Sequence, residues 1–213
     1  MAKSPLYRLF RRIVPERDDQ LLQLKLDGQN MYAEQFPDAP LPNPRLSPNL
    51  IAAQWILGDL HGEDMVEIAA DLLEAGYDSP GLRRLAAENE IQNRADAEPF
   101  VARALRELGV PYLLSKKYAS LVVTRHIARE VIAGKREPYA AARHIEIVLW
   151  NRKAATEELE CLFGLNDEFE WEAEEQRYVH ILYSEQIEVF AHLASLTDDQ
   201  IATIAPATKD FYA

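Results

Sequence analysis

The sequence has a single cysteine, Cys161, among its 213 residues. One thiol cannot form an internal disulfide, and it also excludes zinc sites that need two or more cysteine ligands. No run of about 18 consecutive apolar residues occurs, so the sequence predicts no membrane-spanning helix. The first residues, MAKSPLYR, lack the apolar core of a secretory signal. We therefore expect a cytoplasmic protein.

Glycines are also scarce, and the eight present lie too far apart to form a phosphate-binding loop. Walker loops and dinucleotide fingerprints need closely spaced glycines, because backbone amides must approach the phosphate. The Gly-x-Ser-x-Gly motif of serine hydrolases and the His-Glu-x-x-His motif of zinc proteases are both missing. None of the five histidines follows a glutamate by three residues, as the ligands of helical di-iron sites do. The sequence therefore predicts no catalytic residue, no metal site and no cofactor, and it favours a non-enzymatic function.

Charge is distributed unevenly along the chain. The 23 basic and 35 acidic residues give a formal net charge of −12. Residues 1–153 contain 21 residues of each sign, whereas residues 154–213 contain 2 basic and 14 acidic residues and account for the whole −12. A surface with this excess repels phosphate groups and anionic lipids. We therefore expect no nucleic acid to bind through the acidic region.

Proline marks a boundary within the chain. Residues 37–48 contain five of the 12 prolines. Proline lacks an amide donor and fixes φ, so neither a helix nor a central strand can pass through such a stretch. We predict an N-terminal helical segment at 1–36, a proline-rich connector at 37–48, and a helical body at 49–213 whose C-terminal third is acidic.

Capping residues and glycines divide the body into helices. Ser47-Pro48 is typical of a helix start, and the apolar spacing that follows predicts a helix extending to Leu60. Further starts are predicted at Asp64, Ser79-Pro80, Asp96, Ser115, Glu137-Pro138, Thr156 and Glu172, and a capping box at Thr197–Gln200 precedes a short last helix. Glycines stand at the expected helix ends: Gly76, Gly109, Gly134 and Gly164. The predicted fold class is all-α, an irregular multi-helix bundle of about eight or nine helices, with stacked helical pairs as the alternative arrangement.

Several stretches of the body carry a resemblance to known proteins. AQWILGDL and AADLLEAGYDSPGLRRLAAE (53–60 and 69–88), with ALRELGV and IAGKREP (104–110 and 132–138), are similar to small all-helical bacterial proteins. The resemblance spans about half the chain, residues 50–140, and lies in the pattern of helix boundaries. It implies a bacterial, helical and cytoplasmic protein, and it assigns no activity and no functional residue.

Two polar clusters in the body are weaker candidates for a site. Residues 59–64 place three acids around His61 and could supply ligands to a metal ion, but we interpret them as helix-capping acids and a solvated histidine. Arg125 and His126 are followed one turn later by Glu130, which could form an acid–base pair. The i,i+4 spacing of His126 and Glu130 favours an ordinary ion pair instead.

The strongest positive signal is the segment 157–175, which we call the acidic segment. It contains nine carboxylates and no lysine or arginine. Apolar residues such as Leu159, Phe169 and Trp171 are interspersed among the carboxylates. At protein interfaces an aromatic side chain fills a pocket, while surrounding charges steer a partner of opposite charge. The alternative is an ordinary helical region whose apolar residues face the core and whose acids face water.

These observations predict a non-catalytic protein that binds a basic protein partner through the acidic segment. A bacterial immunity-type protein that neutralises a basic toxin is the most concrete form of this hypothesis. Phe169 and Trp171 are the predicted anchors, and the predicted partner-binding carboxylates are Glu157, Glu158, Glu168, Glu170, Glu172, Glu174 and Glu175. One alternative is an enzyme or small-ligand receptor with an interhelical pocket that uses Arg125, His126 and Glu130. The other is a self-associating structural subunit.

Overall fold

The structure, a computed structural model, describes residues 46–110, 114–152, 159 and 179–206, with the backbone alone at 148–152 and 179–185. Of these residues 74% are helical, and they form eight helices and no strand. The helices are α1 (Pro48–Leu57), α2 (Gly62–Glu74), α3 (Pro80–Ala86), α4 (Arg94–Glu107), α5 (Lys116–Ile132), α6 (Pro138–Arg152), α7 (Val179–Ser195) and α8 (Asp198–Ile204). The predicted all-α multi-helix fold is confirmed. The predicted N-terminal segment and nearly all of the proline-rich connector lie outside the described residues.

The first helix ends earlier than its apolar spacing predicts. Gly58 has φ 79°, a left-handed conformation that glycine adopts without steric cost. The amide of Asp59 then donates to the carbonyl of Gln54 at 2.9 Å, which closes the last turn. Leu60 therefore lies beyond α1, and the helix stops at Leu57.

Two other helices begin two residues before their predicted starts. The amide of His61 donates to the Asp64 carboxylate at 2.6 Å. Asp64 therefore lies in the first turn of α2 and accepts the amide of the residue just before the helix. The side chain of Asn93 accepts a hydrogen bond from the amide of Asp96 at 3.1 Å. Asn93 is therefore the cap of α4, and α4 begins at Arg94.

The remaining caps lie where the sequence predicts them, within the described part of the chain. Gly76 has φ 93° just beyond the end of α2. Ser47 precedes α1, as predicted, but its side chain makes no capping hydrogen bond. At four other helix starts a side-chain oxygen accepts a backbone N–H, as expected for a residue at this position. These contacts are Ser79 with Leu82 at 3.1 Å, Ser115 with Tyr118 at 3.1 Å, Glu137 with Ala140 at 2.6 Å, and Thr197 with Gln200 at 3.2 Å.

By contacts between residues, the described part of the chain divides into two compact units, with boundaries after Val123 and after Leu196. The described residues of the first unit are 46–110, 114–123 and 197–206, which include α1 to α4 and α8. Those of the second unit are 124–152, 159 and 179–196, which include α6 and α7. The helix α5 continues across the first division and contributes to both units.

The first unit is organised around α2, α3 and α4, which pack against one another. Its fully buried side chains include Trp55, Leu82, Leu85 and Val101. Gly62 allows a close approach at the start of α2, because a Cβ atom there would lie 2.6 Å from Ile91 Cγ2. Small and apolar residues therefore bring these helices into direct contact.

In the second unit, α7 packs against α6. The buried side chains of these helices include Ile145, Phe190 and Leu193. The described stretches contain no helix with the length and apolar character needed to cross a lipid bilayer.

Candidate functional site

The predicted partner-binding residues of the acidic segment, from Glu157 to Glu175, all lie outside the described residues. Leu159 is the one member of the segment that the structure describes. It is helical and fully buried, with 0% of its surface exposed. This apolar residue therefore belongs to the protein interior, as the alternative interpretation of the segment expects for its apolar members.

Two arginines of α5 bind the end of α7 in the second unit. Arg125 donates to the carbonyl of Leu196 at 3.0 Å, and Arg129, one turn later, donates to the carbonyl of Ala194 at 3.1 Å. The last carbonyls of a helix have no amide partner within the helix, and its C-terminal end carries partial negative charge. Both guanidinium groups therefore stabilise the C-terminal end of α7. We call these two contacts the α5–α7 junction.

His126 lies between these two arginines in sequence and is 9% exposed. Its Nε2 atom is 3.6 Å from Glu130 Oε1, which is an ion-pair distance only if the imidazole is protonated. The other oxygen of Glu130 is 3.0 Å from Arg136 Nε. Neither ring nitrogen of His126 has a hydrogen-bond partner in the described part of the chain. Within the described part of the chain, the imidazole is thus buried without a hydrogen bond to fix its orientation.

The surroundings of His126 favour the neutral imidazole. Burial lowers the pKa of His126 most, and Arg129, Arg136 and Lys135 lower it further, while Glu130 raises it. Burial disfavours the charged form because water solvates an imidazolium better than a protein interior does. The net effect holds the pKa of His126 below its ordinary value, which favours the uncharged ring.

The second unit thus brings together part of the set expected for an acid–base site. His126 and Glu130 are neighbours, as their i,i+4 spacing predicts. Arg125 directs its guanidinium to a backbone carbonyl instead. Arg136 was missed by the sequence analysis because it lies beyond Gly134, where helical spacing no longer indicates which residues meet.

The acidic cluster at residues 59–64 has a capping role in the first unit. Asp64 accepts the amide of His61, and the side chain of His61 is exposed. In the described ranges no group of three or more histidine, cysteine, aspartate and glutamate side chains is arranged to hold a metal ion. Asp64 is therefore a helix-capping acid, as the sequence analysis interprets it.

Arg94 forms a second arginine contact at a helix end, which sequence patterning did not indicate. Its guanidinium carbon lies 3.8 Å from the centroid of the buried Trp55 ring. The same group donates to the carbonyls of Trp55 and Leu60 near the C-terminal end of α1. A cation over an aromatic face is attracted by the negative π-surface of the ring. Arg94 therefore joins the start of α4 to the end of α1.

Basic residues of the described body commonly have an acidic neighbour. Glu107 illustrates the effect: the hydrogen bond from Arg103, followed by that from the Gly81 amide, lowers the pKa of this carboxyl group. The ion pairs are Arg83–Asp78 at 2.7 Å, Arg84–Glu88 at 3.1 Å, Arg103–Glu107 at 2.8 Å, Arg136–Glu130 at 3.0 Å and Arg143–Glu146 at 3.2 Å. No such pair can form within the acidic segment, because that segment contains no lysine or arginine.

The sequence matches no protein-family profile, and no curated protein or solved structure is significantly similar to it.

Proposed function

We propose that the protein is a non-catalytic binding protein whose acidic segment docks onto a basic protein partner. The observation that carries the proposal is the composition of residues 157–175, with nine carboxylates and no basic residue. Like charges at this density repel one another and destabilise the folded chain. A cationic partner surface offsets that repulsion, so binding is favoured by the same charges that cost stability in isolation.

The charge pattern of the body supports the proposal by contrast. In α4 and α6 the described acidic residues lie within a turn of a basic one, as in Arg103–Glu107 and Arg143–Glu146. Exposed pairs of this kind contribute little stability, typically less than about 1 kcal/mol, but they neutralise the local field. The acidic segment lacks this internal compensation, which is the property expected of a surface that steers an oppositely charged partner.

The apolar residues of the segment have two roles in this proposal. Leu159 is buried and holds its part of the chain against the interior. Phe169 and Trp171 are proposed to enter pockets of the partner, because aromatic side chains supply large buried area at a low cost in side-chain entropy. The carboxylates at 157, 158, 168, 170, 172, 174 and 175 surround these anchors in sequence and supply the complementary field.

The chemical class of the partner follows from this charge. A protein with a cationic surface, such as a toxin whose active site binds phosphate, matches the segment in sign. We therefore propose an immunity-type protein, which covers such a site and neutralises the toxin. The all-α fold accommodates this function, and the acidic segment is its proposed contact surface.

Charge reversal tests the proposed contact surface. A basic partner is first recovered with the full-length protein at about 0.05 M salt and released at about 0.5 M salt, where exposed charges are strongly screened. Its association rate is then measured with the triple variant Glu168→Lys, Glu170→Lys and Glu172→Lys. We expect the rate to fall by about tenfold or more at low salt and the difference to shrink at high salt.

The matched control reverses three exposed acids of the first unit, in the triple variant Glu63→Lys, Glu74→Lys and Glu90→Lys. It makes the same change in net charge outside the acidic segment. An equal loss of association rate in the control would show that net charge alone steers the partner. No loss in the first variant would refute the proposed contact surface.

Truncation of the anchors gives a separate test of the same proposal. Phe169→Ala and Trp171→Ala each remove aromatic contact area and leave the charge unchanged. We expect faster dissociation, by roughly 30-fold for a loss of about 2 kcal/mol. Unchanged dissociation in both variants would contradict the anchor assignment.

Two other functions remain as alternatives with less support. An enzyme or small-ligand receptor would use Arg125, His126 and Glu130, but the guanidinium of Arg125 is engaged with the carbonyl of Leu196. A self-associating structural subunit would be recognised by light scattering as a concentration-dependent increase in mass. Neither alternative accounts for the charge of the acidic segment.

A further inference from the structure

The α5–α7 junction depends on two permanently charged side chains. Arg125 and Arg129 hold the carbonyls of Leu196 and Ala194 at 3.0 and 3.1 Å. A guanidinium group stays protonated throughout the physiological range, so these two contacts do not themselves respond to pH. The residue that can respond is His126, which follows Arg125 directly and precedes Arg129 by one helical turn.

The position of His126 suits a neutral ring better than a charged one. The residue is 9% exposed, and neither of its nitrogens has a hydrogen-bond partner within the described ranges. A neutral imidazole leaves one donor and one acceptor unsatisfied, whereas an imidazolium leaves two donors and a full charge away from water. While the ring stays buried, the imidazolium therefore has a larger desolvation cost than the neutral imidazole.

Three of the four charged groups that affect His126 within the described residues act in the same direction as burial. From α5, Arg129 opposes protonation and Glu130 favours it, and from the turn after α5, Lys135 and Arg136 oppose it. Glu130 shares its charge with Arg136, whose Nε lies 3.0 Å from its second oxygen. The titratable residues of α7 with described side chains are Glu188 and His192, and both are exposed. Within the described residues, one shared carboxylate thus faces three cations.

We propose that the α5–α7 junction is sensitive to protons through His126. While the imidazole is neutral, the two arginines remain bound to the end of α7. Uptake of a proton is favoured in the open arrangement, where water solvates the imidazolium and the neighbouring cations move apart. Acidification therefore shifts the population from the closed junction to the open one. This property lies outside the acidic segment and is independent of the binding function proposed for it.

Amide hydrogen exchange at the end of α7 tests this proposal, because it measures local opening residue by residue. Exchange is measured at about pH 7.5 and about pH 5.5 and corrected for the intrinsic pH dependence of the chemistry. We expect the opening constant of residues 190–196 to rise by up to about tenfold. Tenfold is the upper limit over this pH interval if the His126 ring has an ordinary pKa near 6.5 in the open junction and stays neutral in the closed junction.

Two variants separate His126 from other titrating groups. His126→Leu should remove most of the rise in opening constant between the two pH values. His144→Asn changes an exposed histidine of α6 and should retain the rise. An equal rise in the wild type and in the His126→Leu variant would overturn the proposal.

Direct titration of the ring provides a test that needs no folded variant. In the wild-type protein, the NMR signals of His126 should titrate with a midpoint below about 6.5, the ordinary value for histidine. The Glu130→Gln variant removes a carboxylate that favours protonation and should lower the midpoint further. A wild-type midpoint at or above the ordinary value would overturn the proposal.

Discussion

At the scale of the residue, arginine is the side chain that connects helices in both units. Arg94 covers the ring of Trp55 and bonds carbonyls near the end of α1. Arg125 and Arg129 donate hydrogen bonds to carbonyls at the end of α7. Arginine suits this position because its planar group offers five donors and a charge that opposes the partial negative charge of a helix C-terminus.

Replacement of Arg94 should therefore destabilise the first unit. The Arg94→Ala variant loses the contact with the Trp55 ring and the part-buried hydrogen bonds from the guanidinium to the carbonyls of Trp55 and Leu60. We expect the free energy of unfolding to fall by about 2 kcal/mol, as measured by urea denaturation. Arg83→Ala is the control, since Arg83 forms an exposed ion pair with Asp78. A loss for Arg94→Ala no larger than that of the control would contradict the structural role of Arg94.

At the scale of the element, local capping chemistry explains most helix boundaries. Thr197 and Gln200 satisfy each other's backbone amides at the start of α8, as the sequence motif predicts. At the start of α4 the sequence predicts Asp96 as the first residue, but Asn93 forms the cap and the helix begins at Arg94. Several polar residues in a row can each cap a helix, and packing decides which one does.

Close packing between elements makes Gly62 a sensitive position. A Cβ atom there would meet Ile91 Cγ2 at 2.6 Å and the backbone oxygen of Asn93 at 2.8 Å. Backbone atoms cannot move aside as a flexible side chain can, so Gly62→Ala should lower the free energy of unfolding by about 1–3 kcal/mol. Glu63→Ala changes the next, exposed residue and should have an effect within about 0.5 kcal/mol. Equal stability of the two variants in thermal denaturation would show that α2 can shift to accept the methyl group.

At the scale of the whole molecule, the net charge of −12 belongs to the C-terminal part of the sequence. Residues 1–153 are balanced, and ion pairs such as Arg83–Asp78 and Arg84–Glu88 neutralise charge locally in the body. Unbalanced repulsion among the remaining acids opposes folding, and dissolved salt screens it.

Salt should therefore stabilise the isolated protein. We expect Tm to rise as NaCl is increased from about 0.02 M to about 0.5 M, because the Debye length falls to roughly 4 Å and the repulsion among exposed acids is screened. The triple variant with lysine at positions 168, 170 and 172 should show a smaller rise than the triple variant at positions 63, 74 and 90. Equal responses of the two variants to salt would indicate that repulsion is not concentrated in the acidic segment.

The sequence by itself determined the all-α class, the positions of most caps and the concentration of negative charge near the C-terminus. These properties depend on residues close together in the chain, since a cap acts over three residues and helical spacing over four. The tertiary structure decided which side chains meet across long separations. The pairs Arg94–Trp55 and Arg125–Leu196 could not be predicted, because any of several arginines could have reached a helix end. The lowered pKa of His126 likewise follows first from burial, which depends on the packing of the unit and cannot be read from local sequence.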